Sequence, residues 1–420
     1  MENINDKLQM SNICILLIGF SVPDEVMNDI CSKDRVPPIQ THKLAWNIIH
    51  GLEANIDDPL DLISSLPITD YPDNPKIFVS HKVWERKNGG SIVMLSFLNI
   101  LLLKHLTRFI SCLRLAFAWE IRNRKSKFKA ILLHGVHSPH MYAGIILSKI
   151  ARIPIVCIVT DPPGIVSSRD NKLGVLAKRI DKAILSYGLR RMSGLVVLTE
   201  QIASHFAPAQ KFIVMEGIAC EPDGFHDHAF PDRDCRERPE GEFVIMYAGG
   251  LSEAYGVRLL IDAFGMLEYA NFRLWLFGKG DLEQYAKDAA AKDSRVIYWG
   301  FKDNRFVMNK EREATVLINP RPSGQDFTNF SFPSKILEYM LSGNPVVTTR
   351  LPGLPEEYFP YLELIRDETA FGIAQVLTNL YGRPRSELYR IGNNARNYVI
   401  NRKNPIQQGN RILDFIKTMF

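Results

Sequence analysis

The chain is 420 residues long, which at roughly 100–200 residues per domain allows two or three domains. Hydrophobic residues make up 46% and charged residues 23%, a globular balance that excludes a disordered, collagen-like or coiled-coil chain. A net charge of +5 is too small over this length to point to a nucleic-acid partner.

Six cysteines (Cys14, Cys31, Cys112, Cys157, Cys220 and Cys235) form no CxxC pair, which fits a reducing cytoplasm. The polar, partly acidic start lacks the basic region of a signal peptide, so the apolar run after it reads as a strand at 12–19. Residues 20–75, rich in Pro and Asp, show no clear period. The longest uncharged stretch, Gly89 to Leu103, has 15 residues and falls short of the ~20 a membrane-spanning helix needs. A helix is expected over 95–122. Its residues Leu106, Phe109, Ile110, Leu113, Phe117 and Ile121 recur at helical spacing, with Lys104, Arg108 and Ser111 off that stripe. Eight Lys or Arg lie between Lys104 and Lys129, so the segment reads either as a basic amphipathic helix on an anionic leaflet or as a packed surface helix.

Further strands are expected at 76–80, 130–134, 153–160, 194–199 and 211–215, with helices at 140–151 and 171–191. From Glu216 to Glu242 the composition turns polar and aperiodic, which marks a connection between domains. Beyond it strands (243–248, 272–277, 296–300, 315–319, 345–349, 362–366) alternate with helices (256–268, 281–292, 303–313, 333–342, 369–381). The strands are continuous apolar runs, as in a parallel sheet covered on both faces. The fold class is therefore α/β, with two doubly wound, Rossmann-like domains whose ligands bind at the carboxyl ends of the strands.

Three loops at such strand ends carry chemistry. Gly249 and Gly250, between a strand and a helix, either let amides approach an anion or simply make the turn. In Phe277-Gly-Lys-Gly-Asp281, Gly278 permits a tight turn, and Lys279 either reaches phosphate or is solvated. In the segment from Pro320 to Val347, Ser334, Lys335 and Glu338 share one face at the start of a helix. A hydroxyl, an ammonium and a carboxylate there suit a nucleoside diphosphate, the ammonium for phosphate and the carboxylate for the ribose diol. The alternative is a surface Lys–Glu pair.

These pieces, YAGGL, LIDAF, LFGKGDLE, YWGF, INPRPS and FPSKILEYMLSGNPVVTT, stand in the order and spacing of a known family. The segment Tyr247 to Val347 resembles the donor domain of glycosyltransferase family 4, of GT-B architecture, and most of all bacterial capsule and exopolysaccharide enzymes. Val159-Thr-Asp-Pro-Pro-Gly164 is similar to a segment of their acceptor domain. The resemblance implies two domains facing a cleft: residues 1–216 for the acceptor, 217–241 as linker, 242–403 for the donor, and a C-terminal helix, 404–420, crossing back. It implies retaining, metal-independent transfer from a UDP- or GDP-sugar to a polyprenyl-linked saccharide, with no cofactor. Glu338 would hold the ribose, Lys335 and Ser334 the diphosphate, and Gly249 and Gly250 would face the phosphates. Phe301 would meet the base and Asp326 the sugar. His137, in His134-Gly-Val-His-Ser-Pro-His140, would bond the donor sugar or leaving phosphate, with helix capping as the alternative. Asp161 would orient the acceptor. A lipid-linked acceptor gives the basic helix a purpose, with Lys104, Arg108 and Arg114 on the anionic inner leaflet and the enzyme peripheral at its cytoplasmic face.

Two departures stand out. The position eight before Glu338 is Phe330, where many members carry an acid, and Tyr255 stands where many carry a basic residue. These departures motivate one alternative, a non-catalytic nucleotide-sugar-binding subunit, and a nucleotide-sugar epimerase of the same fold is the other. The Asp-x-Asp at Asp232 and Asp234 and the group Cys220, His226, His228 and Cys235 lie in the polar connection, away from strand ends, and are set aside as metal sites.

Overall fold

The computed structural model describes residues 13–33, 39–101, 103–163, 172–220 and 241–420. The chain divides into two compact units, one of Met1–Ile218 with Pro405–Phe420 and one of Ala219–Asn404. Asp232, Asp234, His226, His228 and Cys235 lie outside the described residues.

In the first unit the elements run β1 (Cys14–Gly19), α1 (Asp24–Lys33), α2 (Ile39–Glu53), β2 (Asp61–Ser64), β3 (Phe78–Val79), β4 (Lys82–Glu85), β5 (Ser91–Met94) and β6 (Phe97–Leu98). They continue with α3 (Leu103–Arg122), β7 (Lys129–His134), α4 (Ser138–Ala151), β8 (Ile155–Val159), α5 (Lys172–Leu189), β9 (Gly194–Val197), α6 (Glu200–Phe206) and β10 (Lys211–Val214). Eight strands form one sheet in the order β10-β9-β8-β7-β1-β2-β5-β4, parallel except for β4 against β5. The strands nearest the centre are buried along almost their whole length, β7 at all six residues, because helices cover both faces. The order reverses between β1 and β7, which makes that edge the topological switch point of the unit.

The aperiodic stretch 20–75 contains two helices and a strand, and Phe97–Leu98 pairs with Phe78–Val79, so the helix expected from 95 begins only at Leu103. Two of the basic residues expected on its membrane-facing surface turn inward instead. Lys104 and Arg108 are 5% and 4% exposed, while Leu106, Ile110 and Ile121 of the apolar stripe are 54%, 55% and 68% exposed. The reason is the carbonyls of the preceding segment, which need donors once buried. Lys104 Nζ donates to Ile68 O at 2.7 Å and to Asp70 at 2.6 Å. Arg108 donates to Leu66 O at 2.7 Å and stacks 4.1 Å from the Phe97 ring centre. Lys104 and Arg108 are therefore structural cations, and of the three basic residues expected on a membrane surface Arg114 alone is exposed.

The second unit runs β11 (Phe243–Ala248), α7 (Val257–Gly265), β12 (Phe272–Phe277), α8 (Glu283–Lys292), β13 (Val296–Gly300), α9 (Asn304–Glu313), β14 (Val316–Asn319) and α10 (Lys335–Leu341). It ends with β15 (Val346–Thr349), β16 (Glu363–Ile365), α11 (Ala370–Tyr381) and α12 (Arg385–Arg402). Its six strands are all parallel, in the order β13-β12-β11-β14-β15-β16, with the switch point between β11 and β14. The last helix, α13 (Pro405–Lys417), belongs to the first unit, where Gln408 donates to Gly217 O at 2.9 Å and Arg411 to Val214 O at 2.8 Å. Among the described residues no helix is long and apolar enough to cross a membrane.

Candidate active site

At the switch point of the second unit the loops after β11, β12 and β14 interlock through their backbones. Leu251 N–H donates to Lys279 O at 2.9 Å and Leu282 N–H to Leu251 O at 2.9 Å. Gly278, at φ 129°, is packed so tightly that a Cβ would lie 1.8 Å from Gly249 O, so only glycine fits. A Cβ on Gly256 would lie 2.0 Å from Pro320 O, which brings the β11 loop against the β14 loop. The amides of Gly249 and Gly278 donate to Phe277 O at 3.0 Å and to Gly300 O at 2.9 Å, which ties the ends of β11, β12 and β13 together.

Helix α10 is fastened to the same place by Tyr339, whose buried hydroxyl accepts from Ala248 N–H at 2.8 Å and donates to Ala248 O at 3.1 Å. The helix is shorter than expected, with Pro333 and Ser334 in the turn that precedes it. One turn apart on it, Lys335 Nζ and Glu338 Oε1 pair at 2.8 Å, both partly open to solvent. A third group lies beneath them. Glu311, at the end of α9, is 1% exposed, with Oε1 3.7 Å from Lys335 Nζ. Burial works against the Lys335 ammonium, but Glu338 and Glu311 outweigh it and hold its pKa above the usual lysine value. Burial, then Glu338, pushes the Glu311 carboxyl well above the ordinary carboxylate range.

Phe301, 69% exposed, stands at the end of β13 with Lys279 Nζ 5.4 Å from its ring centre. Arg321, after β14, stacks 4.8 Å from the Tyr255 ring centre, so a cation stands beside the position where Tyr255 departs from the basic pattern. Asp326 opens a short 3-10 turn, Asp326–Asn329.

Residues 242–383 match the family model described as Glycosyl transferases group 1. This segment is a group 1 glycosyltransferase domain. It contains the motifs quoted for the donor domain, from Tyr247 onward, so that resemblance drawn from the sequence holds. The amylovoran biosynthesis glycosyltransferase AmsK of Erwinia amylovora is 29% identical over 154 residues, which span 36% of this chain and 36% of that protein. The chain thus aligns with about a third of that relative's length. Among solved structures, sucrose-phosphate synthase from Thermosynechococcus elongatus superposes with a TM-score of 0.61 at 14% identity, over 96% of this chain and 100% of that one. Anabaena Alr3699/HepE in complex with UDP does so with a TM-score of 0.54 at 16% identity, over 96% and 100%. These likenesses establish the fold, that of GT-B glycosyltransferases with two parallel-sheet domains.

In the first unit of this GT-B chain, Phe20 after β1 and His137 after β7 meet at the switch point, with ring centres 5.0 Å apart. His140 lies 4.5 Å and His105 5.7 Å from His137. His137 stands at the N-cap of α4 without a side-chain capping bond, so capping does not explain it. Burial, with His140 and Arg108 adding to it, holds His137 well below the usual histidine pKa, so it is neutral at pH 7. Asp161 follows β8, one strand further from β1, exposed and accepting from Thr160 Oγ1 at 3.1 Å. Glu311 and the bonds of the Tyr339 hydroxyl to Ala248 were not singled out from the sequence. For Glu311 a signal existed, because it sits on the buried face of α9 with Val307 and Met308, where an apolar residue is expected.

Proposed function

We propose that this chain is a retaining glycosyltransferase that moves a sugar from a UDP- or GDP-sugar to a polyprenyl-linked saccharide, in the building of a capsule or exopolysaccharide. The observation that carries this reading is the Lys335–Glu338 pair, set by Tyr339 against the strand end at the switch point of a group 1 glycosyltransferase domain. Ligands of doubly wound sheets bind at such points. The ammonium suits a diphosphate and the carboxylate accepts from ribose hydroxyls, so the two groups exchange each other for the two ends of one ligand. Ser334, Arg321 and Lys279 add a hydroxyl and two cations around the same loops, and Phe301 offers an exposed ring for the base. The complex of the fold relative HepE with UDP supports a nucleotide ligand of this class.

In this reading the chain supplies position and charge and no covalent nucleophile. Lys335 and its neighbours stabilise the negative charge on the departing diphosphate as the bond from the sugar breaks. The acceptor hydroxyl takes the sugar on the face the diphosphate leaves, with Asp326 holding the sugar and Asp161 the acceptor. His137, neutral through burial, is a hydrogen-bond partner for the sugar or leaving phosphate. The first unit receives the acceptor, and the exposed stripe of α3, rimmed by Arg114 and Arg122, rests on the anionic inner leaflet.

A thermal-shift panel of nucleoside diphosphates and nucleotide sugars tests the donor assignment, because a ligand that binds the native form raises its melting temperature. One base should raise it, and Lys335→Ala and Glu338→Ala should each weaken that ligand by about 10–100-fold, the worth of a hydrogen bond to a charged group. A panel that shifts nothing, or shifts the variants as much as the parent, removes the assignment.

A further inference from the structure

Helix α9 ends in a sequence of alternating charge, Lys310-Glu-Arg-Glu313, that reads as a solvated surface turn. The structure buries one of these charges. Glu311 is 1% exposed, and its Oε1 accepts no hydrogen bond. Its backbone carbonyl accepts from Asn344 Nδ2 at 2.6 Å, and the same amide reaches Arg312 O at 3.2 Å. The end of α9 is thereby tied to the turn that follows α10, and the Glu311 side chain is aimed beneath Lys335 and Glu338. A buried carboxyl without a full set of partners is costly, and shape alone would be met by a leucine or methionine. Its neighbours are Lys335, Glu338 and the Tyr339 hydroxyl, all on the helix assigned to donor binding.

We propose that Glu311 is a positioning residue of the donor site, a buried carboxyl that hydrogen-bonds Glu338 from behind and keeps its carboxylate set for the ribose when Lys335 turns to the diphosphate. The inference rests on the donor reading above. With one proton on Glu311, the three groups carry one positive and one negative charge, so the Lys335–Glu338 pair is balanced. When a diphosphate draws Lys335 away, Glu338 loses its cation. A donor behind it then preserves both its charge and its orientation. Burial favours the protonated form of Glu311, and the nearby Glu338 carboxylate favours it further.

The experiment is a titration of the full chain with UDP and with GDP, for the parent, Glu311→Gln and Glu311→Leu. Gln keeps the shape and a donor, and should bind within about threefold of the parent. Leu keeps the volume but cannot donate, and should bind at least about tenfold more weakly while its urea midpoint is no lower than the parent's. That split, with rescue by Gln, separates positioning from a merely structural role. Glu311→Met repeats the test if the Leu variant does not fold. Parent-like affinity in the apolar variants, or a tenfold loss in Gln, overturns the role of Glu311 and leaves the donor site standing. A parent that binds neither nucleotide overturns the donor site and the role of Glu311 together.

Discussion

Tyr339 shows how much one side chain holds at this site. Its hydroxyl satisfies both the N–H and the C=O of Ala248, deep in the second unit. Tyr339→Phe leaves both backbone groups unpaired, and urea unfolding should report a loss of about 1–3 kcal/mol. A change below a few tenths would mean that the two bonds hold nothing. The histidines of the first unit make a prediction about pH. Burial lowers His134 to a pKa of about 4 and His140 to about 3. Both lie below the unfolded value near 6.5, so between pH 6.5 and those values the unfolded chain binds protons that the folded chain does not. Stability should therefore fall as pH falls through 6.5, by about 2 kcal/mol per histidine on reaching pH 5. His140→Leu should flatten that slope by one histidine's share, and an unchanged slope would show that His140 takes up its proton without opening the fold.

At the scale of elements, what the sequence exposed and what it concealed have physical causes. The strands of the second unit were legible because a strand buried on both faces is a continuous apolar run, and β11, β12 and β13 lie where such runs stand. Lys335 and Glu338 were legible because their spacing places them on one face of a helix. Helices α1 and α2 were hidden among Pro and Asp residues that mask their period. The burial of Lys104 and Arg108 in α3 was not legible, because cations off an apolar stripe ordinarily face solvent, whereas here carbonyls 66 and 68 draw them inward. In the proposed membrane reading, the contact surface is then the exposed stripe itself. Leu106→Glu with Ile110→Glu, at positions 54% and 55% exposed, should leave the fold intact and move the protein from vesicles of anionic lipid to the supernatant. Equal binding by the parent and the double variant would end the membrane reading of α3. Glutamates in place of Lys104 or Arg108 would test only stability.

For the molecule as a whole, the two sheets divide between two units, each with its own switch point and its own cluster of polar groups. The second unit gathers an ammonium, two carboxyls and an exposed ring around three interlocked loops. The first gathers neutral histidines at the end of β7. The family match lies in the second unit, which therefore bears the central claim, that the Lys335–Glu338 pair is the seat of an activated sugar's nucleotide. The most direct measurement is a crystal structure of the chain with its nucleoside diphosphate bound. The account predicts that the 2.8 Å pair opens, with Lys335 Nζ moving onto a phosphate oxygen and Glu338 onto the ribose hydroxyls. Each new contact should measure about 3 Å. A nucleotide seated elsewhere, with Lys335 and Glu338 still paired to each other, would contradict it.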